Sequence, residues 1–232
     1  MNVFKTACAE VLEYLRRAVT PFFIKLMFGM TMLAVLLITN DVLRTILTAV
    51  LFAGDIVLTY VLLRSSGETA CKMKETGRLL RENKPVGSAE HAGGYKPCKE
   101  YAPYKGFVIG AVVSLPAIVL IVVGALTGSA GVRIGLVFSS GWAFLPVFAI
   151  YYLIGEKIPN DEGEMVLAAI DANWLWWGMI LVAICIAVCG IAYIHGGRRE
   201  RLRQFMLERR TQSVEEGKKK HSEVSARGVK KG

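Results

Sequence analysis

The stretch VRIGLVFSSGWAFLPVFAIYYLI, Val132–Ile154, is apolar over nearly its whole length, yet Ser139-Ser140-Gly141 and Pro146 interrupt it. About 20 apolar residues cover the roughly 30 Å hydrocarbon core of a bilayer, so the stretch is long enough to cross. Its middle is weak as a helix, because glycine is a poor helix former and proline has no backbone N–H to donate. A plain crossing and a segment that breaks or turns back are both consistent with it, and they put the C-terminus on opposite sides of a membrane.

Four further segments of similar character surround this one: Pro21–Thr39, Thr45–Leu63, Phe107–Leu126 and Trp174–Ile194. The 232 residues are 53% hydrophobic and 20% charged, with a mean hydropathy of +0.44, too apolar for an ordinary soluble domain. Lipid cannot satisfy backbone N–H and C=O groups, and these runs are continuous rather than alternating, so helices are required rather than a barrel. The expected fold class is an all-α, polytopic membrane helical bundle of five apolar segments, four or five of them full crossings, led by an N-terminal amphipathic helix.

Orientation follows from lysine and arginine. The connection 64–106 carries Arg64, Lys72, Lys74, Arg78, Arg81, Lys84, Lys96, Lys99 and Lys105, and the lead carries Lys5, Arg16 and Arg17; the hairpin ends 40–44 and 127–131 carry only Arg44. The N-terminus and the long connection are therefore expected in the cytoplasm of a cell-membrane protein. Five full crossings would then leave the C-terminus outside. Yet residues 195–232 hold twelve basic residues, and the stretch 155–172, placed inside by the same count, is acidic. Acidic residues weigh little in topology, so the tail favours an even number of crossings. The fourth segment is the best candidate for an incomplete one, with five plain crossings and an external tail as the alternative.

The chain divides into a lead at 1–20, a transmembrane hairpin at 21–63, a basic cytoplasmic loop at 64–106, a second membrane region at 107–194, and a basic tail at 195–232 that is expected to be partly disordered. In the lead, Phe4, Ala7, Cys8, Val11, Leu12, Leu15 and Val19 share one helical face, which suits a helix in the headgroup plane or an extension of the first span. Ser65-x-x-Glu68 has capping-box spacing and predicts a short helix running to about Asn83. Tyr95, Tyr101 and Tyr104 precede the third span, where tyrosines commonly anchor at headgroup level, and Trp174, Trp176 and Trp177 with Tyr151 and Tyr152 suit a second belt. In the tail, Arg198, Arg199, Arg201, Arg203, Arg209 and Arg210 interleave with Leu202, Phe205, Met206 and Leu207, a composition fitted to anionic headgroups. From Ser213 onward the apolar content is too low to fold alone.

The excess of 28 Lys and Arg over 19 Asp and Glu lies between and after the apolar runs, which points to lipid rather than nucleic acid. Among the candidate residues Asp55 is the sharpest, since a charge at mid-span costs about 2.5 to 3.5 kcal/mol or more. Lys25 lies four residues into the first segment and Asp55 eight from the end of the second, so their depths differ by about 6 Å at 1.5 Å per residue. They can form an intramembrane pair or serve an ion-coupling role, the latter with Thr31, Thr59 or Ser114 around a wet cavity.

No catalytic site, metal site or cofactor is expected. Ala53-Gly54-Asp55 lacks the second intramembrane aspartate that a shared-proton dyad needs. Ser139, Ser140 and His195 lack the depth match of a nucleophile and base. Cys185 and Cys189, at i, i+4, read as packing residues. Gly106-x-x-x-Gly110, Gly124-x-x-x-Gly128 and Gly131-x-x-x-Gly135 let helices approach closely, within the chain or between copies in an oligomer. The expected role is a non-catalytic scaffold or accessory subunit with a membrane or cytoplasmic protein partner; the alternative is a small transporter or channel using Asp55.

Overall fold

The computed structural model describes residues 2–82, 100–155, 157–159, 165–167 and 172–229. Among the described residues the chain forms five helices: α1 (Asn2–Val35), α2 (Asp41–Glu82), α3 (Lys105–Thr127), α4 (Ala130–Ile154) and α5 (Ala172–Val229). Two three-residue strands, β1 (Lys157–Pro159) and β2 (Met165–Leu167), pair antiparallel between α4 and α5. Every helix contains a stretch long and apolar enough to cross a membrane, so the protein is an all-α, multi-pass membrane bundle. Its outer faces are apolar, as at Val50, Val57 and Val61 of α2, whereas Thr48, Asp55 and Thr59 of the same helix are buried.

Local chemistry sets the helix ends. The Asn40 side chain accepts from the Leu43 N–H at 3.0 Å, an N-cap for α2. Gly128 closes α3 in the left-handed conformation, φ 62°, with its N–H on the Gly124 carbonyl, a position that suits glycine because it has no Cβ to clash.

Four helices run the length of the bundle. At one end, called the basic end here, Arg17 of α1 donates to the Tyr193 hydroxyl of α5 at 3.4 Å. At the same end Tyr101, just before α3, donates its N–H to the Ala70 carbonyl of α2, and Arg199 of α5 reaches Glu68 at 3.3 Å. Close approach there depends on glycine. A Cβ on Gly67 would meet the Tyr193 carbonyl, one on Gly196 the Arg64 carbonyl, and one on Gly106 or Gly110 the backbone and side chains around Cys189.

The fourth helix does not follow this course. Near its start, Val132 lies beside Gly124 at the far end of α3, and Leu175 of α5 lies beside the same glycine. Near its finish, Tyr151 packs edge-on against Trp174, ring centroids 4.8 Å apart. At this same end Arg44 stacks on Tyr152 at 4.0 Å, and the Thr45 hydroxyl donates to the Ala149 carbonyl at 3.2 Å. A straight helix would separate Val132 from Tyr151 by about 28 Å at 1.5 Å per residue, yet both lie at the end away from the basic one. Between them, Ser140 has non-helical angles, φ −138° and ψ 29°, and Gly141 and Trp142 abut Gly29, six residues before the end of α1.

Thus α4 is two half-helices joined at Ser140, entering to about mid-depth and returning to the side it came from. Burial agrees: all eight residues Ser140–Val147 are buried, where a helix on the flank of a bundle would show a 3.6-residue alternation. Of the two core clusters, α4 contributes Leu136, Trp142, Ala143, Phe144 and Leu145 to one and nothing to the cluster at the basic end. Four helices thus span the bundle, with α1's start, α2's finish, α3's start and the α5 extension at one end.

Several sequence expectations change. The lead is not a separate surface helix: α1 is unbroken from residue 2, and Val11, Leu12 and Leu15 are exposed on its side. Ser65 caps nothing, because α2 is continuous to Glu82 and the Ser65 carbonyl accepts from Thr69 within the helix. The tail continues α5 as helix through Gly196-Gly197 and on to Val229, although its low apolar content predicted partial disorder. It contains no proline, and proline is what most sharply stops a helix. Tyr101 is not a headgroup anchor: it is buried and stacks on Tyr193 with centroids 5.3 Å apart. That burial pushes its hydroxyl's pKa up, against an opposing effect of Arg201. Tyr104 is exposed, and Tyr95 lies outside the described residues. So do Glu156, Asp161, Glu162, Glu164 and Asp171 of the acidic stretch.

Candidate intramembrane ion-pair site

Four elements converge on Lys25. Its Nζ lies 2.6 Å from Asp55 Oδ2, with side-chain exposures of 1% and 0%. The ammonium sits over the Trp142 ring, 4.1 Å from its centroid, and 3.5 Å from Cys185 Sγ. Asp55 takes a longer contact from the Thr59 hydroxyl, 3.5 Å to Oδ1. The pair is thus framed by α1, α2 and α5, with the turn of α4 supplying the ring.

Each placement has a local cause. Lys25 stands four residues after Pro21, at the inward face of α1; Asp55 and Thr59 share a face of α2 at i, i+4. Trp142 reaches the ammonium because Gly29 and Gly141 let the tip of the hairpin touch α1, where a Cβ on Gly29 would stand 3.0 Å from the Trp142 backbone nitrogen. A desolvated cation over an indole face is stabilised by about 2 kcal/mol, so the ring offsets part of the burial of the ammonium. Removing either partner would leave an uncompensated charge, which typically destabilises by 3–5 kcal/mol or roughly that order.

Sequence spacing brings Lys25 and Asp55 to similar depth, and the structure pairs them. Thr31 is elsewhere, exposed, with its hydroxyl on the Met27 carbonyl. Ser114 is buried with an unpartnered hydroxyl. Cys185, read from sequence as packing, and Trp142, not singled out as a site residue, are the neighbours that reasoning missed. A signal for Cys185 existed: nine residues from the end of its segment, it matches Asp55, eight from the end of its own. Trp142 carried no such signal, since its depth depends on the turn in α4.

The six tail arginines are all exposed along α5. Four touch neighbours, the first three being Arg199 at Glu68, Arg203 at Glu200 at 4.0 Å, and Arg201 over Tyr101 at 5.2 Å. Arg209 lies over Phe205 at 4.9 Å, and Arg198 and Arg210 flank the row. Leu202, Phe205, Met206 and Leu207 are exposed between them.

No protein-family model, curated protein or solved structure matches this chain.

Proposed function

We propose that this protein is a non-catalytic scaffold or accessory subunit of a cell-membrane complex. The observation that carries the reading is the closure of the one intramembrane site the residues single out. Lys25 and Asp55 are both 0% exposed, each is held by the other, and Trp142 and Cys185 occupy the remaining approach. A coupling carboxylate needs access to water or a second proton acceptor; a structural clamp needs neither.

In this reading the basic end faces the cytoplasm, as lysine and arginine placement favours. The α2 and α5 extensions then form a projecting platform, and Arg198, Arg199, Arg201, Arg203, Arg209 and Arg210 engage anionic headgroups or an acidic face of a protein partner. No catalytic step is assigned to any residue.

A second reading, a small transporter or channel using Asp55, draws support from the hairpin, because broken helices often meet ion sites at mid-membrane. Proteoliposomes holding the purified protein and a pH-sensitive dye separate the two. The scaffold reading expects proton flux equal to that of empty vesicles under an imposed gradient. Flux above that level, abolished by Asp55→Asn, would establish the transporter reading instead.

A further inference from the structure

We propose that the cleft between α2, α5 and the returning half of α4 is a binding site for one hydrocarbon chain of a bilayer lipid. The cleft has a volume of about 590 Å³, within the range of roughly 300 to 1,000 Å³ typical of ligand pockets. Its α2 wall runs from Thr45 to Phe52 and its α5 wall from Trp174 to Leu181, each about 10 Å of helix. It therefore occupies the half of the membrane away from the basic end. It exists because α4 turns back: the return half leaves the gap between α2 and α5 incompletely filled, with Pro146 and Val147 at its rear.

The chemistry of the walls selects hydrocarbon. The hydroxyl-bearing residues among them are Thr45 and Thr48, and both hydroxyls are already engaged: Thr45 donates to the Asp41 and Ala149 carbonyls, Thr48 to the Arg44 carbonyl. With those protons engaged, what the walls still offer a polar ligand is limited to hydroxyl lone pairs and the indole N–H groups of Trp174 and Trp177. The mouth opens sideways, where Trp177, Ile180, Ile150 and Ile154 are exposed, at 57%, 50%, 45% and 67%. A chain thus enters from the surrounding lipid without crossing water.

A second copy of this protein fits less well. Membrane helices dock on stripes of small residues that let backbones approach, and this mouth presents tryptophan and isoleucine. A stretch of helix about 10 Å across and 10 Å long also fills roughly 800 Å³, more than the cleft holds.

The test uses the full chain in nanodiscs containing phosphatidylcholine with a photoactivatable diazirine in one acyl chain, followed by mapping of labelled peptides. Expected is labelling of 45–52 and 146–154 at least about fivefold above lipid-facing positions outside the cleft, such as Val57 and Ile184, a preference of about 1 kcal/mol. Ala49→Phe, at an exposed position on the cleft wall, should lower the cleft labelling to the level of those controls and leave the controls unchanged. Uniform labelling in the unmodified protein would overturn the proposal, and that result does not depend on the variant folding. Cleft labelling that survives Ala49→Phe would overturn it too, as would cleft peptides shielded from lipid and crosslinked to a second copy.

Discussion

Replacing Lys25 with Met leaves the Asp55 carboxylate in the bundle with the Thr59 hydroxyl at 3.5 Å as its remaining described polar contact. The variant escapes a buried charge by taking up a proton, which for a carboxylate of ordinary acidity costs about 4.2 kcal/mol at pH 7. Replacing Asp55 with Leu leaves the ammonium with Trp142 and Cys185; shedding its proton costs about 4.6 kcal/mol for an ordinary lysine, and keeping the charge over the ring recovers about 2. Each single variant should therefore lose about 3–4 kcal/mol. The double variant Lys25→Met, Asp55→Leu removes both charges and should fall within about 1.5 kcal/mol of the parent, since a buried pair can be replaced by packed apolar side chains at little loss.

Unfolding in mixed micelles titrated with denaturing detergent measures all four proteins. A double variant no more stable than the worse single would refute the clamp.

Other consequences are open to simpler tests. Reporter fusions after Ile194 and after Gly232 should report the same side of the membrane as one inserted in the 64–106 loop; an opposite side would dismantle the four-crossing arrangement. Gly196→Ala, whose new Cβ meets the Arg64 carbonyl, should destabilise by about 1–3 kcal/mol. Gly135→Ala, whose nearest neighbour is Leu120 at 3.9 Å, should be neutral or gain up to about 1 kcal/mol, and thermal stability in detergent compares the two. Trp142→Phe keeps an aromatic face over Lys25, whereas Trp142→Leu does not, so the Leu variant should be the less stable by about 1 kcal/mol; equal melting temperatures would remove the cation from the account.

Much of this arrangement could be read from residue order because membranes impose depth. Lys25 and Asp55 come together by counting residues from segment ends, and Ser139-Ser140-Gly141 with Pro146 marks the place where α4 turns. What could not be read depends on lateral neighbours, which counting does not fix. Tyr101 looks like an interfacial anchor until Tyr193 and Gly197 provide a slot for its ring. Glycine is a poor helix former, yet Gly196 and Gly197 are where α2 and Tyr101 press against α5, so packing supplies what intrinsic propensity lacks. Helix also continues past Thr20, Leu63 and Ile194, with the packing of Arg17, Gly67 and Gly196 against neighbouring helices holding the first turns beyond each.

That continuity makes α5 a lever. Beyond Gly197 it extends to Val229, about 48 Å at 1.5 Å per residue, with its fulcrum where two glycines lie against Arg64 and Tyr101. A tilt of 10° at that fulcrum would carry the far tip through roughly 8 Å over such an arm, so a small repacking around Tyr193 inside the membrane becomes a large sweep outside it.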